Sequence, residues 1–95
     1  MTTDIDSLAV TVVLALQGRT VATAESITGG QIGSTITAIP GTSAIYRGGI
    51  VAYATDLKSS LLGVSESLLA EGGPVQAQVA LEMAAGVAQK LNADF

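Results

Sequence analysis

The feature that most constrains this chain is the run Thr20-Val21-Ala22-Thr23-Ala24-Glu25 passing straight into Ser26-Ile27-Thr28-Gly29-Gly30. The alternating β-branched stretch reads as a strand, and the glycine-rich turn after it opens a helix expected over about Gln31 to Ala38. A strand that ends in such a turn aims free backbone N–H groups at one point, where the helix dipole also favours an anion. The same pattern serves equally for a plain helix cap with glycines that allow close packing, so both readings of Thr28-Gly29-Gly30 stand at this level.

The rest of the chain repeats the alternation. Residues 4–17 carry Ile5, Leu8, Val12, Ala15 and Leu16 at helical spacing, with Asp4 and Asp6 at the amino end and Gly18 as a stop. After the Pro40-Gly41 turn, Ile45 to Ala54 reads as a second strand, with Gly48-Gly49 marking a bulge or a close backbone approach. Thr55 or Asp56 is placed to cap a short helix carrying Leu57, Leu61 and Leu62. Ser65 to Leu69 reads as a further helical turn or two, ended by Gly72-Gly73-Pro74. The last helix is the most regular, with Val75, Val79, Met83, Val87 and Leu91 four residues apart.

A further strand is expected to start at Ala93-Asp94-Phe95. The expectation is one domain over residues 1–95: a layered α/β/α fold with a mixed, incomplete sheet. It has two strands and the start of a third, with helices on both faces. A two-stranded sheet is marginal in water and its edges template further pairing, so a homo-oligomer is expected.

Composition narrows the chemistry. The chain is 48% hydrophobic and 13% charged, with net charge −4 and only Arg19, Arg47, Lys58 and Lys90 as basic residues. These are too dispersed for a nucleic-acid footprint, so no nucleic-acid partner is expected. No apolar run reaches membrane length and Met1-Thr2-Thr3-Asp4-Ile5-Asp6 lacks a basic leader, which points away from a membrane and toward the cytoplasm. With no cysteine and no histidine, a zinc site is not expected and no histidine-based triad can form within the chain. A nucleophilic hydrolase built from these residues needs Ser or Thr as nucleophile, with Lys, a carboxylate or a terminal amine as base.

Four positions fit that list. Ser26 stands at the strand–helix turn. Ser43 lies in Pro40-Gly41-Thr42-Ser43, where an ordinary turn serine is the simpler reading. Tyr53 ends the second strand, and Lys58 follows in the first turn of the next helix, where the positive end of the dipole disfavours a charged amine. Glu25 could orient a donor beside Ser26 or face solvent, and Arg47 could hold a phosphate or decorate a strand edge.

Taken together, Ala24-Glu25-Ser26-Ile27-Thr28-Gly29-Gly30, Ile39-Pro40-Gly41-Thr42-Ser43-Ala44, Gly49-Ile50-Val51-Ala52-Tyr53, Lys58 and Leu62-Gly63-Val64 resemble the CinA C-terminal domain family. Stand-alone members of that family are nicotinamide-nucleotide amidases. The resemblance implies a serine amidohydrolase of pyridine nucleotide salvage, converting nicotinamide mononucleotide and water to nicotinic acid mononucleotide and ammonia without metal or cofactor. Carried over by position, it implies Ser43 as nucleophile, Lys58 as general base, and Ser26 and Tyr53 as auxiliary hydroxyls. Thr28, Gly29, Gly30, Glu25 and Arg47 are the expected substrate contacts.

Ile27 stands where the family usually has Cys, and the basic residue before the second strand's glycine is displaced to Arg47. The family's Thr-Gly-Ile-Ala-Gly-Pro loop falls after Phe95, so the chain is expected to be truncated relative to the family. A non-catalytic ligand-binding or interaction module of the same fold is the competing expectation, and a Ser–Lys hydrolase of another small amide is a third.

Overall fold

A computed structural model describes residues 4–95, leaving Met1, Thr2 and Thr3 outside the described residues. The elements follow as α1 (Ile5–Ala15), β1 (Val21–Glu25), α2 (Gln31–Thr37), a 3₁₀ turn (Thr42–Ala44), β2 (Tyr46–Val51), α3 (Thr55–Leu62), α4 (Glu66–Gly72) and α5 (Ala77–Lys90). Asp4 caps α1 by accepting from the Asp6 amide, and Ser65 caps α4 by accepting from the Leu68 amide. Neither Thr55 nor Asp56 caps α3; Ala54 holds that position without a side-chain bond. Val75 lies before α5 and is 92% exposed, whereas Val79, Met83 and Val87 are buried along it.

The two strands pair in parallel, which requires the crossover through α2. Successive side chains of β1 point to opposite faces, so one strand serves two cores. Ala22 and Ala24 join Ala52, Leu62, Val64, Val79, Met83 and Val87 under α3 and α5, while Val21 joins Val13, Ile36 and Ile45 under α1 and α2. Helices therefore cover both faces, and the small alanines of β1 let α5 approach closely.

β1 has backbone partners on both edges. Its Val21 amide donates to Ile45 on the β2 side. Its Ala22 amide donates to the Phe95 carbonyl, and Phe95 N–H donates to Thr20. That pair of bonds has the parallel pattern, so Phe95 lies extended along the edge of β1 away from β2, beside a sheet of two strands. Asp94 fastens it, accepting from the Thr20 amide at 2.8 Å and the Thr20 hydroxyl at 3.2 Å.

The bulge expected at Gly48-Gly49 is present one residue earlier. Val21 faces Tyr46 but Ala22 faces Gly48, which leaves Arg47 as the extra residue. Gly49 lies over the Tyr46 hydroxyl, which is 2.7 Å from Thr23 Oγ1; a Cβ there would sit 2.5 Å from that hydroxyl. β2 also stops at Val51 rather than running to Ala54, because the carbonyls of Ala52 and Tyr53 turn away from the sheet to accept from Lys58.

A candidate serine–lysine site at the carboxyl ends of the strands

Parallel strands end together. The Ala52 amide donates to the Glu25 carbonyl at 2.8 Å, so Ser26 and Ala52 leave the sheet side by side. One turn into α3, Lys58 sends its side chain back under this junction and is 3% exposed. Its Nζ lies 3.0 Å from Ser26 Oγ, 2.7 Å from the Ala52 carbonyl oxygen and 3.1 Å from that of Tyr53. An ammonium donates to all three. An uncharged amine gives its two N–H groups to the carbonyls and turns its lone pair toward Ser26, the arrangement a general base needs. All three partners are neutral oxygens. The Tyr53 side chain itself stands outward, 71% exposed.

Ser43 is elsewhere. It belongs to the 3₁₀ turn before β2, whereas Lys58 binds the two residues that follow β2. A six-residue strand separates them, roughly 17 Å at a rise of about 3.3 Å per residue. The structure joins Ser26 to Lys58 and leaves Ser43 exposed at the opposite end of the sheet within one chain.

Glu25 and the glycine turn also differ from the substrate contacts expected of them. Glu25 is 4% exposed, and its Oε1 accepts from the Gly30 and Ile32 amides at 3.1 and 3.0 Å, its Oε2 from the Gly33 amide at 3.1 Å. The Gly29 amide donates to the Ser26 carbonyl. The helix N-terminus that could take a ligand's anion thus holds the chain's own carboxylate. Gly30, at φ 102°, lets the backbone turn those amides inward. Thr28 is exposed.

Burial by itself raises the Glu25 carboxyl, but the amides of Ile32 and Gly33, the Thr28 hydroxyl and the Gly30 amide outweigh it, and the net shift is below the ordinary glutamate value. A carboxylate depressed in the folded state stabilises the fold fully above its unfolded value and loses that contribution as pH falls through the folded value. Glu25→Gln puts an NH₂ against a backbone N–H and is expected to cost about 2 kcal/mol at pH 7. Urea denaturation from pH 7 down to pH 3 checks it: the wild-type protein loses stability faster with falling pH than the variant does. Parallel slopes would remove Glu25 as a source of the acid sensitivity.

Arg47, expected near a phosphate, is the bulge residue and donates from Nε to the Leu91 carbonyl at 2.6 Å. It lies at the amino ends of the strands with Arg19, which precedes β1, and Lys90, which ends α5 before Phe95. A side-chain pattern of two strands read separately hides this, because the Arg47 slip depends on their register.

The sequence profile of the CinA C-terminal domain matches residues 5–95. The chain belongs to the CinA C-terminal domain family. A CinA-like protein of Frankia casuarinae is 51% identical over 82 residues, which is 86% of this chain and 19% of that protein. Among solved structures, the competence/damage inducible protein CihA of Agrobacterium tumefaciens has TM-score 0.91 at 38% identity, covering 99% of this chain and 58% of its own. A CinA superfamily protein of Enterobacter cloacae has TM-score 0.93 at 32% identity, covering 99% of this chain and 57% of its own. This CinA-family chain therefore spans about a fifth of that first relative and under three-fifths of the solved chains. Among the described residues, no helix is long and apolar enough to cross a membrane.

Proposed function

We propose that this CinA-family domain is the serine–lysine half of an amidohydrolase acting on nicotinamide mononucleotide, with Ser26 as nucleophile and Lys58 as its base. The observation that carries the reading is the 3.0 Å approach of Lys58 Nζ to Ser26 Oγ, with the remaining N–H groups directed at two carbonyls. Lys58 takes the hydroxyl proton as Ser26 Oγ attacks the carboxamide carbon. The tetrahedral intermediate collapses, and the departing amine takes that proton from Lys58 and leaves as ammonia. Lys58, again neutral, then deprotonates the water that attacks the acyl-Ser26 ester. Nicotinic acid mononucleotide is released and the hydroxyl of Ser26 is restored.

The position of the pair supports this. In open parallel α/β sheets ligands bind beyond the carboxyl ends of the strands, beside the central strand where the strand order reverses. Ser26 follows β1, which pairs with β2 on one edge and takes the bonds of Phe95 on the other.

Ammonia release from nicotinamide mononucleotide, measured on this protein and on a form extended past Phe95 by the segment that the solved relatives carry, tests the reading. Ser26→Ala is expected to abolish turnover in the active form, and Ser43→Ala to leave it within about threefold, since removing a nucleophile costs on the order of 10⁴-fold or more. The opposite pattern would return the nucleophile to Ser43, brought from a second copy. Release from neither form would favour a binding module.

A further inference from the structure

A closed circuit of hydrogen bonds runs through the serine–lysine pair. Ser26 Oγ meets Lys58 Nζ at 3.0 Å, Lys58 Nζ donates to the Ala52 carbonyl at 2.7 Å, and the Ala52 amide donates to the Glu25 carbonyl at 2.8 Å. The peptide bond from Glu25 to Ser26 completes it. Ser26 is therefore anchored to the sheet on its amino side. On its carboxyl side the chain enters an exposed turn, Ile27 to Gly29. The Gly29 amide bonds back to the Ser26 carbonyl at 3.1 Å, which tightens the turn without attaching it to the sheet.

That attachment comes from the Glu25 side chain. It is 4% exposed and reaches across the turn to the amides of Gly30, Ile32 and Gly33. A helix is ordinarily capped by the residue directly before it, yet that residue is Gly30, which makes no side-chain bond. The acceptor belongs instead to the residue before Ser26. One side chain at the end of β1 thus fixes the start of α2, and Ser26 is held between the two. Two oxygens that only accept suit three converging donors, whereas an amide there would set an NH₂ group against a backbone N–H.

Resting on the Ser26–Lys58 reading, we propose that Glu25 is a positioning residue for the reaction: it clamps the turn that carries Ser26 and keeps Ser26 Oγ within reach of Lys58 Nζ. It moves no proton, and its effect passes through the pair. The clamp acts on the chemical step and not on binding, because displacing a reacting group by about 1 Å costs on the order of 10²-fold in rate.

Steady-state ammonia release by whichever form is active tests this, at a temperature where circular dichroism shows every variant folded. Glu25→Gln is expected to lower kcat about 10²-fold with KM within about threefold of the parent. In a Lys58→Met background the same change should cost less than about threefold, because the clamp has no pair left to position. A loss of stability alone would lower turnover by the same factor in both backgrounds. Amide hydrogen exchange of the unaltered protein needs no variant: the Gly30, Ile32 and Gly33 amides should exchange slowly, although such amides lack partners within a helix. Rapid exchange there, a kcat within about threefold of the parent, a rise in KM alone, or equal losses in both backgrounds would each overturn the proposal. Those results leave the Ser26–Lys58 reading standing. That reading fails on different results, ammonia release by Ser26→Ala or by no form at all, and the clamp then falls with it.

Discussion

Replacing Lys58 with methionine is expected to lower turnover of nicotinamide mononucleotide by about 10³- to 10⁴-fold, the range a positioned general base supplies. Methionine keeps much of the volume in a site that is 3% exposed, so the packing against the junction is largely retained. What goes is the proton acceptor 3.0 Å from Ser26 and the donor shared by the Ala52 and Tyr53 carbonyls. The two orphaned carbonyls cost stability, about 1–3 kcal/mol, which the variant should show as a lower melting temperature with an unchanged circular dichroism spectrum. Lys58→Arg is the informative companion. It restores donors to the carbonyls but offers no neutral lone pair, so it should recover stability without recovering turnover. Recovery of turnover by arginine would reduce Lys58 to an electrostatic role and remove it as the base. The readout is single-turnover ammonia release beside thermal denaturation of the same samples.

The second large effect is purely structural. Gly86→Ala is expected to destabilise the fold by about 3 kcal/mol, which in a domain of this size lowers the melting temperature by about 12–24 °C. Gly86 lies on α5 between the buried Met83 and Val87, where the helix crosses the end of α3. A Cβ at Gly86 would overlap the backbone carbonyl of Leu62. A flexible side chain could swing away; a carbonyl at the last residue of a helix moves only with the helix. The substitution also gains about 1 kcal/mol of helix propensity, so the measured loss is net of a favourable term. Because α3 carries Lys58, parting the helices should also disturb the 3.0 Å approach to Ser26, and turnover should fall in the folded fraction. A melting temperature equal to or above that of the parent would mean that α3 and α5 do not cross at Gly86.

Most of the fold was legible because its periods are local. The apolar row of α5, the β-branched run of β1 and the Pro40-Gly41 break each announce an element within a dozen residues, and Phe95 pairs along the free edge of β1. The shorter β2 was not legible, because its end is decided by a lysine side chain that arrives from the following helix. The site was partly legible. Ser26 and Lys58 converge, with Tyr53 contributing its carbonyl and not its hydroxyl, and the chain order held the reason Ser43 lies apart: it precedes the strand that Lys58 follows. Within one chain the two ends of that strand do not meet.

Glu25 follows the same lesson. Val21, Thr23 and Glu25 share a face by alternation, and that face is covered by α2, so the carboxylate was bound to meet a helix rather than a ligand. Arg47 was the position least open to reading. One inserted residue turns its side chain from a sheet edge to the end of α5, and nothing in the local pattern says which residue is the inserted one.

The bonds of Thr20 to Asp94 and Phe95 have a consequence for biosynthesis. Thr20 and Asp94 are 74 positions apart, so β1 gains partners on its second edge only after α5 has been made. Long-range pairing of this kind is slow, and until it forms the edge of β1 is a row of open donors and acceptors. During N-to-C synthesis, Phe95 is the residue that first partners that edge, taking the Ala22 N–H and donating to the Thr20 carbonyl.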